Sequence, residues 1–263
     1  MSDSKNLYDA SRQWQNRPPD ERFETLQEMH DACKAYADNS RTALVPFNSL
    51  KVEPNAENGN LQLVGSTGIP ATLTHYAFGQ LARTIGAPAD YLRNIPAELA
   101  AENINHGLSV IGKADADKKA SLLFHQNGSL VTRAINSDSY DRVWSFELIK
   151  QVMERLVPEG WRPPPARPVR AGQPGTRKAT EADVLKNNGA KSGGAVIKVG
   201  DDIAPGALFA SDHDSFMFMV REGSQIDDGA AGLNRGVFIQ NSEVGECALK
   251  FKSFVWDAIC GNL

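Results

Sequence analysis

The chain has little cysteine: three residues in 263, Cys33, Cys247 and Cys260, far apart and without a Cys-x-x-Cys pair. That scarcity excludes a disulfide framework and the paired ligands of a zinc knuckle. Long apolar runs are missing too. The longest, such as Ala207–Ala210 and Phe216–Val220, fall far below the roughly 20 residues needed to cross a bilayer. The opening residues Met1-Ser2-Asp3-Ser4-Lys5-Asn6 are polar and lead into no apolar core of the secretory type. The expectation is a cytoplasmic protein without a membrane partner. A Gly-rich loop ending in Lys-Ser/Thr and a Gly-x-Ser-x-Gly elbow are both lacking, which removes the usual parts of nucleotide hydrolysis and of serine hydrolases. No cofactor is implied, and the absence of a complete catalytic motif weighs against an enzyme.

What is present is the composition of an ordinary folded chain, 41% hydrophobic and 23% charged. Its length suits one large domain or two small ones. The net charge of −4 conceals a local excess of the other sign. Between Gly160 and Thr180 stand Arg162, Arg167, Arg170, Arg177 and Lys178, with no acidic residue among them.

Periodicity divides the chain. After Pro18-Pro19-Asp20, the residues Phe23, Leu26, Met29, Cys33 and Ala37 recur at helical spacing, with His30 and Cys33 read as packing residues. Ser49–Glu53 and Asn60–Gly65 flank an Asn-Gly turn and predict a hairpin. Thr74 is placed to cap a helix that Gly86 ends, a helical turn follows at Ala89–Asn94, and Pro96 starts another helix with Leu99 and Ile104 facing inward. Around Asn127-Gly128 lies a second hairpin, apolar on both faces, and Val143–Val157 is helical. Residues 160–194 read as a long Pro- and Gly-rich loop. Strands at 207–210, 215–220, 236–240 and 248–255 follow, too closely spaced for helical crossovers and therefore antiparallel. The predicted fold class is α+β: antiparallel sheets with helices on one face, and strand–helix modules joined by a long basic loop. The predicted layout is a helical segment over 1–45, an α+β region over 46–158, a flexible basic loop over 159–195, and a β region over 196–263 that either stands apart or joins 46–158.

Two constellations carry chemistry. Ser211-Asp212-His213-Asp214-Ser215 joins two apolar strands, and Asn241-Ser242-Glu243-Val244-Gly245 ends another. If these meet, Asp212, His213, Asp214 and Glu243 form a divalent-metal set; otherwise they are turn residues bonded to their own backbone. The second constellation interleaves cations with aromatics: Arg133 and Arg142 near Tyr140 and Trp144, and Trp161 beside Arg162. With Arg167, Arg170, Arg177 and Lys178, these supply stacking surfaces and phosphate contacts for a single strand. They serve equally well as packing at the rim of a core.

Several segments in order, Leu73–Leu81 with Gly86–Leu92, Arg133–Tyr140, Ala210–Phe216 and Asn241–Gly245, give the stretch 45–263 a resemblance to the phage/plasmid-like protein family known as domain of unknown function 932. Members of that family continue after a Cys-x-Asn segment, so Cys260-Gly261-Asn262-Leu263 implies a short member or a cut chain. The resemblance implies a mobile-element protein and brings no established reaction. The leading expectation is an accessory that binds nucleic acid, coating or annealing single-stranded DNA as a homo-oligomer. The alternatives are a metal-dependent enzyme on nucleic acid or nucleotides, using Asp212, His213, Asp214 and Glu243, and an interaction or anti-defence module that engages a host protein.

Overall fold

A computed structural model of the chain describes residues 17–55, 59–65, 68–169, 171–172, 176–188, 197–221 and 233–257. In chain order the elements are β1 (Arg22–Phe23), α1 (Leu26–Asp38), β2 (Ser40–Pro46), β3 (Lys51–Pro54), β4 (Leu61–Val64) and β5 (Pro70–Leu73). Three helices come next, α2 (His75–Thr84), α3 (Ala89–Asn94) and α4 (Ala97–Ala114), then β6 (Lys119–Asn127), β7 (Ser129–Ser137) and α5 (Ser145–Arg155). The last part holds β8 (Trp161–Arg162), β9 (Arg167–Pro168), β10 (Arg177–Lys178), α6 (Glu181–Asn188), β11 (Asp202–Ala204), β12 (Leu208–Ala210), β13 (Ser215–Arg221), β14 (Leu233–Asn241) and β15 (Lys250–Asp257). The fold is α+β, with several helices and largely antiparallel sheets. Among the described residues no helix is long and apolar enough to cross a membrane.

Two compact units divide the chain. The first comprises residues 1–33, 145–242 and 247–263; the second comprises 34–144 together with 243–246.

In the second unit a six-stranded sheet runs in the order β2-β6-β7-β5-β4-β3. Local signals account for most of it. The Thr74 hydroxyl accepts from the Ala77 amide and starts α2, and Gly86, at φ +73°, ends it as a left-handed terminator. Gly128, at φ +76°, turns β6 into β7. The three helices cover one face, where Leu81, Leu92, Ile104 and Leu108 pack on Val52, Leu63, Leu122 and Ile135. Leu123 and Ala134 pack with Val244 in a separate cluster, so the β6–β7 pair is apolar on both faces, as its sequence predicts. One pairing departs from the antiparallel expectation. β5 runs parallel to β7, because the chain between them passes through α2, α3 and α4 and then through β6, which turns back into β7, rather than through a hairpin. Leu99 also corrects the reading: it is exposed, because α4 turns Ala100, Ala101, Ile104 and Leu108 inward and Leu99 lies off that stripe.

The first unit holds a sheet in the order β1-β12-β13-β14-β15, with β8 added against β13. The expected antiparallel arrangement of 207–255 is present, and Ser215 pairs with Asn241. Its core is aromatic: Phe209 stacks on Phe216 at 4.7 Å and Phe218 meets Phe238 at 5.0 Å. The stretch 159–195, which reads as a loop, contains β8, β9, β10 and α6. β9 and β10 flank β11 in a three-stranded sheet whose small core is Ala179, Ile197 and Ile203.

Gly236 stands opposite Phe254 in the β14–β15 ladder, and a Cβ at that position would overlap the phenylalanine ring. We expect Gly236→Ala to cost about 1–3 kcal/mol, seen as a lower urea midpoint, and a second change, Phe254→Leu, to recover part of it. An unchanged midpoint in Gly236→Ala would show that the ring has room to swing aside.

Candidate functional site

The hairpin register decides where the acidic turn falls. Because Ser215 opposes Asn241, residues 211–214 and Ser242 share one end of the β13–β14 hairpin. Ser242 Oγ donates to the His213 carbonyl, at 2.7 Å. Within the turn, Ser211 Oγ donates to Asp214 Oδ1 at 2.7 Å and accepts from the His213 and Asp214 amides. These bonds are the backbone-directed ones that Ser and Asp make in turns. They leave the imidazole of His213 between two carboxylates: Nδ1 lies 2.8 Å from Asp212 Oδ1 and Nε2 lies 3.6 Å from Asp214 Oδ1.

Asp214 is buried, and its carboxylate meets a buried arginine from the start of the described chain. Arg17 Nη2 reaches both Asp214 oxygens at 2.7 Å, and Arg17 Nη1 reaches Glu21 at 2.8 Å. Burial opposes the charge on Arg17, but Asp214 and Glu21 outweigh it and raise the guanidinium pKa.

Glu243, the fourth member of the expected metal set, belongs to the second unit, and its carboxylate accepts from Arg133 Nη2 at 3.0 Å. Arg133 is buried to 2% exposure, lies over the Tyr36 ring and donates to Ser40 Oγ. Its guanidinium is thus spent inside the unit rather than offered to a strand. Arg142 is half-buried and reaches Asn136 at 3.4 Å. Its pKa is lowered chiefly by burial, with Arg133 adding repulsion against the opposing pull of Tyr140 and Glu243.

The basic stretch is likewise partly spent. Arg177 is gripped by two carboxylates, those of Glu24 and Asp183. Asp183 also accepts from the Thr180 amide and hydroxyl, while Thr180 Oγ1 faces the Asp183 amide, a capping box that starts α6. Lys178 pairs with Asp202, directly opposite it on β11. Trp161 is half-buried in β8, opposite Arg221. Arg167 lies in β9, and Arg170 lies outside the described residues. Arg162 is exposed, and its Nη1 donates to the carbonyls of Val157 and Trp161, with no acidic partner among the described residues.

Two of the expected cations, Arg162 and Arg177, line one cleft of the first unit, together with Phe23 and Lys186, which the sequence reading did not single out. For Lys186 a signal existed. The pattern Thr180-x-x-Asp183 marks a helix start, and Lys186 follows Asp183 by one turn on the same face. Phe23 corrects the reading: its spacing placed it on the helix, but it stands before α1 in β1, a two-residue strand that exists only through pairing with the distant β12.

Arg17→Met leaves the Asp214 carboxylate buried without its cation, and we expect a loss of about 3–5 kcal/mol in urea unfolding, with a smaller loss in the double variant Arg17→Met/Asp214→Asn. Equal losses in the two would show that the pair is not coupled. The Asp183 carboxyl is held well below the usual carboxylate range, first by its bonds to Arg177. A depressed carboxyl contributes its full stability above its unfolded pKa, about 3.9, and loses it as pH falls toward the folded value. The gap in urea midpoint between the native chain and Asp183→Asn should therefore stay constant from pH 7 to about 4.5 and close only below about pH 4; a gap that closes at pH 6 would contradict this. Comparison of the chain with family models, with curated proteins and with solved structures found no match in any of the three.

Proposed function

We propose that the turn between β12 and β13 binds a divalent cation and that the protein is a metal-dependent enzyme acting on nucleic acid or nucleotides. The observation that carries this reading is the setting of His213. Its Nδ1 faces Asp212 at 2.8 Å, which favours the tautomer protonated at Nδ1, with the ring's lone pair on Nε2. Nε2 and Asp214 Oδ1 are 3.6 Å apart, too far for a hydrogen bond and close enough to share one cation, which would displace one of the two bonds that Oδ1 accepts from Arg17 and Ser211. Two ligands about 2.1 Å from a tetrahedral ion are separated by roughly 3.4 Å. Asp212 would then act behind the histidine as the carboxylate that orients it.

A cation held by one imidazole and one carboxylate keeps its remaining positions for water and for substrate phosphate oxygens. It would polarise a phosphoryl oxygen and lower the pKa of a bound water, the two contributions that phosphoester hydrolysis needs. The resemblance to a phage/plasmid-like family favours nucleic acid or nucleotides among phosphate-bearing substrates.

A second reading, an accessory that coats or anneals single-stranded DNA, is favoured by the exposed cations Arg162 and Lys186 of the first unit. It requires no cation at His213.

Calorimetric titration of the metal-free full chain with Mn²⁺, Zn²⁺ and Mg²⁺ tests the first reading. We expect one site for at least one of these ions, weakened more than tenfold by His213→Ala and about 10- to 100-fold by Asp212→Asn. Metal-dependent hydrolysis of a single-stranded oligonucleotide or a nucleoside triphosphate should fall with the same substitutions. A native chain that binds none of the three, or a His213→Ala chain that binds as the native one does, would overturn the proposal.

A further inference from the structure

We propose that the cleft lined by Phe23, Arg162, Arg177 and Lys186 is a nucleotide site, with the phosphate held by Arg162 and Lys186 and the base and sugar lying against Phe23 and the Pro163–Pro165 wall. This deepens the second reading above, from which it takes Arg162 and phosphate chemistry, and it is independent of any cation at His213.

The charge distribution in the cleft selects the ligand. Five ionisable side chains line it: Glu24, Arg162, Arg177, Asp183 and Lys186. Arg177 holds both carboxylates, so those three groups form a closed cluster of paired charges with a net charge of −1. Of the other two, Arg162 donates only to neutral carbonyls, and the Lys186 side chain makes no hydrogen bond or ion pair among the described residues. Among the described residues Arg162 and Lys186 are therefore the cations of the cleft without an acidic partner, the cleft as a whole carries a charge of +1, and an oxyanion is the complementary group.

The walls select what the anion is attached to. Phe23 and Pro163, Pro164 and Pro165 are half-buried, apolar and ringed, and Pro205–Leu208 also lines the cleft, with Leu208 beside Phe23 in the β1–β12 pair. An aromatic ring beside a phosphate-binding cation is the combination on which nucleobases stack. The cleft volume is about 370 Å³, at the small end of ligand sites, which suits one nucleotide rather than several.

The rigidity of the cleft comes from the same closed cluster. Glu24 follows directly on β1, Arg177 belongs to β10 and Asp183 to α6, so the Arg177 guanidinium fixes three elements around one space. Arg177 is thus a positioning residue, whereas Arg162 and Lys186 would touch the ligand.

The test uses the full chain in chelator and low salt, with inorganic phosphate, thymidine 5′-monophosphate and an eight-residue oligothymidylate as separate probes in calorimetry. We expect the monophosphate to bind more tightly than phosphate alone. Arg162→Ala and Lys186→Ala should each weaken it at least tenfold, and Lys186→Arg should keep it within about threefold. Both residues are exposed, so these variants fold. Phe23→Ala should weaken the monophosphate while leaving inorganic phosphate unchanged. For the oligonucleotide, two phosphate contacts give a log–log salt slope near −1.4, at about 0.7 per contact, and Arg162→Ala/Lys186→Ala should abolish that slope. Monophosphate binding without strand binding would retain the site and defeat the coating reading. Strand binding untouched by the double variant, or no monophosphate binding at millimolar concentration, would overturn the site.

Discussion

Six consecutive residues of β13, Ser215 to Val220, are buried, and that run constrains everything around it in the first unit. A strand with no exposed side chain must be flanked on both edges and covered on both faces. β14 pairs with it along its whole length, while on the other edge β12 pairs with Ser215–Met217 and β8 with Val220 and Arg221. The hairpin register that follows brings Ser211–Asp214 beside Ser242. The polar turn is thus a consequence of an apolar strand, since the chain can change direction only where burial stops.

Charge is handled differently from what net composition suggests. Arg17, Arg133 and Arg177 are all met by carboxylates: Asp214 and Glu21 for the first, Glu243 for the second, Glu24 and Asp183 for the third. Three of these pairs, Arg17–Asp214, Arg133–Glu243 and Arg177–Glu24, join residues more than a hundred positions apart. Buried ion pairs add little net stability, but they penalise any arrangement that leaves one member alone, so they select a fold more than they strengthen it. The basic stretch therefore offers fewer cations to a ligand than its sequence displays. Among the described residues Arg162 and Lys186 are the exposed cations that line the cleft without an acidic partner.

What the sequence made legible was local. Asn127-Gly128 announced its hairpin, Thr74 and Gly86 bounded their helix, and short apolar runs after residue 206 marked an antiparallel sheet, because each depends on backbone preferences within a few residues. Residues 160–194 were illegible for the converse reason. β9 and β10 contain two residues each and exist only because both pair with β11, 24 or more positions further on, so proline and glycine content spoke for a loop while tertiary pairing made strands. Leu99 was assigned to the wrong side by about one residue of helical phase. The acidic turn was legible as a motif, but neither the removal of Glu243 into a pair with Arg133 nor the engagement of Asp214 by Arg17 leaves a trace in residue order.

The discontinuity of the first unit sets the order in which the protein can be made. Arg17 and Asp214 are 197 positions apart, and Phe23 pairs with Leu208. During synthesis at about 5–20 residues per second, β1 leaves the ribosome roughly 10–40 seconds before its partner strand exists. Residues 34–144 emerge in that interval, carrying all six strands of their sheet and the helices that cover it. The second unit can therefore assemble while the start of the chain waits, and the first unit closes last, around a segment that was translated first.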